Sequence, residues 1–159
     1  FVLVVNLCAI VEVYALIPDS ANPFSITPKQ VSLWYNNYIV ASLGAIGDRV
    51  VTGDRISTVS LLKLTDTKLE TQARDYGPLY PVAVEAIDEE HLVTANDVLG
   101  FLYEYGEAEP PYQDTYNLFT FSLARRNEHN ALERDGGFHL ADFVTCFLRG
   151  ENNIFLLGL

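Results

Sequence analysis

The sequence has no methionine, one tryptophan, two cysteines and three histidines in 159 residues. With no Met even at position 1, the chain reads as a segment excised from a longer one. Its apolar opening, Phe1 to Val5, reads as the middle of a structural element. Basic side chains are scarce: Lys and Arg total 10 against 21 Asp and Glu, a net charge of −11. Gripping a phosphate backbone takes clustered Lys and Arg, so any contact with nucleic acid is expected to be indirect or through other parts of a complex. An acidic surface favours basic partners. The three histidines, His91, His129 and His139, are dispersed and lack metal-ligand spacing. Neither a metal nor another cofactor is expected. His139 is expected to pack or bond locally at a strand start. Cys8 and Cys146 lie far apart, each in an apolar run, and read as buried thiols of a reducing compartment, not as a disulfide. There is also no Asn-x-Ser/Thr acceptor. Both observations favour the cytosol or nucleus.

Hydrophobic residues make up 49% of the chain and charged residues 19%. That is enough to bury a sizeable core at about the size of one domain. Residues 1–18 are apolar enough to suggest a membrane span. The run carries Asn6 and Glu12, lacks a basic flank and ends in Pro18. It also alternates, with Ile10, Glu12 and Tyr14 on one side and Val11, Val13 and Ala15 on the other, which is the period of a strand. No membrane association is expected.

The chain repeats. Asp48-Arg-Val-Val-Thr-Gly-Asp54 recurs as Glu90-His-Leu-Val-Thr-Ala-Asn96, 42 residues later. At the same offset the preceding strands align Val40 and Ala41 with Val82 and Ala83. A period near 42 is that of a four-stranded propeller blade. Arg74-Asp75 then recurs as Arg134-Asp135 at an offset of 60, an excess of 18 residues that falls most simply on Val98 to Thr115. Upstream, Val2 to Asn6 resembles Val50 to Asp54. Within each repeat an apolar strand, expected to be buried on both faces, precedes one ending in turn residues. An alternating strand and a polar strand follow. This gradient suits a radial blade.

The fold class expected is all-β. The chain should be a fragment of one β-propeller domain, with about two full four-stranded antiparallel blades plus two incomplete ones. Their expected limits are 1–34 (partial), 35–76, 77–135 with the insertion near 98–115, and 136–159 (partial). A propeller closes with typically 4–8 blades, so this segment should not close and should expose strand edges.

Catalytic chemistry is not evident. The acidic run Glu85 to Glu90 reads as a solvated loop and not as a carboxylate pair. Gly44, Gly47 and Gly53 are followed by neither Lys-Ser/Thr nor a helical pattern, so they make no phosphate loop. Asp48 and Asp54 read as turn formers. Ser57 and Ser60 have no evident His or Asp partners.

Val40 to Leu64, Leu69 to Asp88, Tyr116 to Phe121 and Gly136 to Val144 resemble the third propeller of the large subunit of the UV-damaged-DNA-binding protein. Its superfamily extends to subunits of pre-mRNA splicing and cleavage/polyadenylation complexes. The resemblance implies a nuclear, non-enzymatic adaptor that joins substrate receptors to a cullin–RING ubiquitin ligase in DNA repair and protein turnover. A subunit of an RNA-processing complex is the alternative. It also implies docking positions at Ile39, Ala41, Ser42 and Tyr80, where ordinary blade core or inter-blade packing would serve equally. Ser57 stands where some relatives carry a contacting Arg. Relatives join Asn96-Asp97 almost directly to Tyr116-Asn117, so Val98 to Thr115 is either a loop inserted at a blade turn or a translated short intron.

Overall fold

The computed structural model describes residues 1–5, 8–22, 24–56, 58–75, 81–97, 119–140, 144–152 and 154–158. Every regular element among them is a strand. Four antiparallel sheets follow one another along the chain. The first holds β1 (Val2–Val5), β2 (Ile10–Pro18) and β3 (Ile26–Tyr35). The second holds β4 (Val40–Ile46), β5 (Arg49–Asp54), β6 (Val59–Leu64) and β7 (Leu69–Asp75). The third holds β8 (Pro81–Ala86), β9 (His91–Asp97), β10 (Phe119–Arg126) and β11 (Leu132–His139). The fourth pairs β12 (Cys146–Arg149) with β13 (Phe155–Gly158). Within each sheet the strands stand in chain order, each hydrogen-bonded to the next. Short connections between alternating apolar segments favour such meanders. The β4–β5 turn has two residues, and its Gly47 takes a positive φ of 57°, which glycine adopts without steric cost.

The sheets stack face to face, and the core lies between them. Val11, Val13 and Trp34 of the first sheet pack on Val40, Val50, Leu62 and Leu69 of the second. Val51, Val59, Leu61 and Ala73 of the second pack on Val84, Ala86, Leu92, Ala124 and Leu132 of the third. Ala83 and Ala95 of the third meet Val144, Phe147 and Leu157. The middle sheets therefore bury both faces, and the end sheets bury one. The outward faces retain exposed apolar side chains, Val2, Val4, Leu33 and Tyr35 at one end and Leu148 and Leu156 at the other.

Hydrogen-bond registers correct the repeat. Asp54 stands opposite Val40, and Asn96 stands opposite Pro81. Val40 and Ala41 therefore correspond to Pro81 and Val82, one residue earlier than the sequence match, because the β8–β9 turn is one residue longer than Gly47-Asp48. A bulge occupies the same place in both inner strands, at Ala41 and at Val82. Ser122 faces Thr94 as Ser60 faces Thr52. Arg134 stands opposite Ala124, whereas Arg74 stands opposite Ser60. The two Arg-Asp pairs are thus not structural equivalents. A polar strand expected over Arg126 to Asp135 is instead the β10–β11 turn and the first half of β11: β10 ends at Arg126, and β11 runs from Leu132 to His139. His139 is accordingly exposed at a strand end.

Three further expectations are corrected. The inner strand β4 is not buried on both faces, since Ala41 and Ala45 are exposed. Neither cysteine is buried. Cys8 sits in the β1–β2 turn, and Cys146 lies on β12 opposite Gly158. Glu85 lies within β8 and not in the loop that follows.

Candidate docking surface

The side of the stack that carries Ile39 is built on one buried carboxylate. Asp54 ends β5 and is 1% exposed. Its Oδ1 accepts the N–H groups of Ile56 and Thr58, both at 3.0 Å. Its Oδ2 accepts Asn36 Nδ2 at 3.1 Å, and the same amide donates to the Tyr38 carbonyl. One side chain thus fixes the β5–β6 turn and ties it to the β3–β4 connection. The Arg55 N–H donates to the Ile39 carbonyl at 3.0 Å, closing the link. The turn-forming role read from Asp54 in the sequence is what the structure shows. Asp54→Ala would strip the turn of its acceptor and leave buried N–H groups unpaired. We expect a cost of about 2 kcal/mol, less for Asp54→Asn, read as a lower urea midpoint.

This network holds apolar side chains in solvent. Tyr35, Tyr38 and Ile39 are 65%, 44% and 39% exposed. Ala41 is exposed at the bulge that follows. Ser42 behaves differently: its Oγ accepts the Val84 N–H at 2.9 Å across the sheet boundary, so its side chain serves packing between sheets. Tyr80 and Ser57 lie outside the described residues, as does the segment Val98 to Thr115.

The opposite side is acidic. The β4–β5, β6–β7, β8–β9, β10–β11 and β12–β13 turns there carry Asp48, Asp66, Asp88 to Glu90, Glu128 and Glu151. Two arginines grip the β8–β9 turn from its neighbours. The buried Arg49 donates to the Glu89 carbonyl and carboxylate at 3.3 and 3.0 Å, and to Asp48 at 2.6 Å. Arg149 donates to the Ala86 and Ile87 carbonyls, both at 2.8 Å. Within the turn, burial pushes the Asp88 carboxyl up. The Glu90 N–H and the side chain and N–H of His91 outweigh that and hold it below the usual carboxylate value. The motif missed in the sequence is this pair of arginines, which carry no spacing signal because three of their four acceptors in the β8–β9 turn are backbone carbonyls.

Glu85 is the one carboxylate of this run set between sheets. A Cβ on Gly44 would fall 2.7 Å from its Cα and from its Oε1. Burial raises its pKa, against the Ala86 and Ala45 N–H groups and Arg149, which lower it. The folded state therefore holds this proton more tightly than the unfolded chain, and ionisation above the ordinary glutamate value costs stability. Glu85→Gln keeps the acceptor for the Ala86 N–H and removes the charge. Its melting temperature should exceed that of the parent at pH 7, and the difference should vanish below about pH 4.

Among the described residues no three His, Cys, Asp or Glu side chains are placed to hold a metal ion. No helix among them is long and apolar enough to cross a membrane.

Successive antiparallel sheets, stacked in chain order through apolar faces with their turns gathered at two sides, define a partial β-propeller. The chain is similar to DNA damage-binding protein 1 of Oryza sativa subsp. japonica and of Solanum lycopersicum, 31% identical over 111 residues in each case. It is 30% identical over 111 residues to DNA damage-binding protein 1a of Arabidopsis thaliana. Each match takes in 66% of this chain but 9% of the relative, so the chain spans less than a tenth of the length of these curated relatives. The resemblance carried by the repeat landmarks is thus a relationship to DNA damage-binding protein 1. No protein-family model matches the chain.

Proposed function

We propose that the chain is a non-enzymatic docking segment of a damaged-DNA-binding-type scaffold. In this reading it forms part of a propeller that presents substrate receptors to a cullin–RING ubiquitin ligase in the nucleus. The observation that carries it is the exposed Tyr38–Ile39 segment, whose backbone is tied to the buried Asp54 network, with exposed Tyr35 at the end of the preceding strand. Rigid aromatic and aliphatic anchors are what protein interfaces use for most of their binding energy. The relationship to DNA damage-binding protein 1 supports the DNA-damage setting. The net charge of −11 supports contact with DNA through partners. Ile39, Ala41 and Tyr80 are the proposed docking residues. Ser42 supports them from within the blade boundary.

The test is affinity purification of the longer protein that carries this chain. A cullin and receptor subunits should co-purify, and Ile39→Asp should reduce receptor recovery at least tenfold while leaving the cullin. Recovery of splicing or polyadenylation factors without a cullin would refute the reading and favour an RNA-processing scaffold. Direct, salt-sensitive DNA binding by the chain itself would also refute it.

A further inference from the structure

The core of the boundary between the second and third sheets is largely apolar, and Thr94 is a polar side chain set into it. Thr94 on β9 is 2% exposed, and its Oγ1 has no hydrogen-bond partner among the described residues. It lines a small cavity with Val59, Leu92, Ala124 and Leu132. Two charged side chains complete the lining, Asp75 from the last strand of the second sheet and Arg134 from the last strand of the third. The space open to the centre of a water molecule is about 10 Å³. One water needs roughly that much room and two to four polar partners.

We propose that this cavity is a binding site for a single internal water that joins the two sheets. The water accepts from or donates to the Thr94 hydroxyl, donates to the Asp75 carboxylate and accepts from the Arg134 guanidinium. The three groups have complementary roles. The carboxylate offers only acceptors, the guanidinium only donors, and the hydroxyl supplies whichever role remains. No larger ligand fits the volume. The repeat places Thr52 of the second sheet where the third has Thr94, and Thr52 is likewise buried, facing the first sheet. A threonine at this place in the second and third sheets sets a polar position into a largely apolar boundary, and at Thr94 the bound water is what makes it tolerable. Without the water, the buried hydroxyl would cost stability at each unfolding comparison.

The sign of one substitution tests this. Thr94→Val preserves shape and removes the hydroxyl. If the hydroxyl holds a water, the variant should melt roughly 2–4 °C lower. A Thr94→Val melting temperature equal to or above the parent's would overturn the proposal, because deleting an unpaired buried hydroxyl is neutral or stabilising. A second measurement needs no variant. Water–protein cross-relaxation in the NMR spectrum of the labelled chain should give a negative, long-residence cross-peak to the Thr94 methyl group. Its absence would overturn the site whatever the variants do.

Discussion

Gly44→Ala should destabilise the chain by about 3 kcal/mol, more than any other exchange of this size. Gly44 lies on β4, the inner strand of the second sheet, and faces β8 of the third. The added methyl would come within 2.7 Å of the Glu85 Cα and 2.8 Å of the Val84 carbonyl oxygen. Both are backbone atoms of a paired strand, so nothing can rotate aside and the two sheets must part. Gly53→Ala is the comparison. Its methyl would meet Val84 Cγ1 at 2.9 Å and Pro81 ring carbons at 3.1 Å. Those are side-chain atoms of a stiff valine and a proline ring and not backbone atoms, so the cost should be smaller. Chemical denaturation of the two variants beside the parent would show the order. A Gly44→Ala chain as stable as Gly53→Ala would mean that β4 and β8 are not in close contact.

Leu61→Ala should cost a similar amount, about 3 kcal/mol. Leu61 is fully buried on β6 and belongs to the cluster that joins the second and third sheets. Truncation removes transfer energy and leaves a cavity bounded by two pleated sheets, which cannot close over it easily. The thermal transition should move down by roughly 6–12 °C. An exposed leucine such as Leu156, 58% exposed on the outward face of the last sheet, should change little on truncation. The contrast separates boundary packing from general hydrophobicity.

Much of this architecture was legible in the residues. Alternation in Ile10 to Ala15 gave a strand whose Val11 and Val13 are indeed fully buried. The Val-Thr-Gly-Asp and Val-Thr-Ala-Asn endings marked the second strand of the two four-stranded sheets, and at Asp54 the buried acceptor fixes the turn that follows. Register was less legible. Matching letters placed Val40 on Val82, but a turn one residue longer in the third sheet puts it on Pro81. Arg134 shared a dipeptide with Arg74 and not a place in the ladder, since pairing depends on where bulges fall and not on local composition. The docking side was read only as a set of positions. That Ser42 turns into the boundary, and that Asp54 supports Ile39 through Asn36 and Arg55, depends on contacts between residues 16 to 42 apart in the chain. The acidic turns were visible as charge. Their grip by Arg49 and Arg149 was not, because its acceptors are mostly backbone carbonyls, which leave no trace in a sequence, and a carboxylate 40 residues from Arg49.

The account turns on consecutive sheets that share a core and stand or fall together. Hydrogen exchange of the β9 amides of Leu92, Val93 and Ala95 in the Leu61→Ala chain tests this most directly. These amides belong to the third sheet, and the substitution lies in the second. A shared core predicts that their protection falls by the full stability lost, about a hundredfold for 3 kcal/mol. Unchanged protection at β9, with loss confined to β5, β6 and β7, would contradict it.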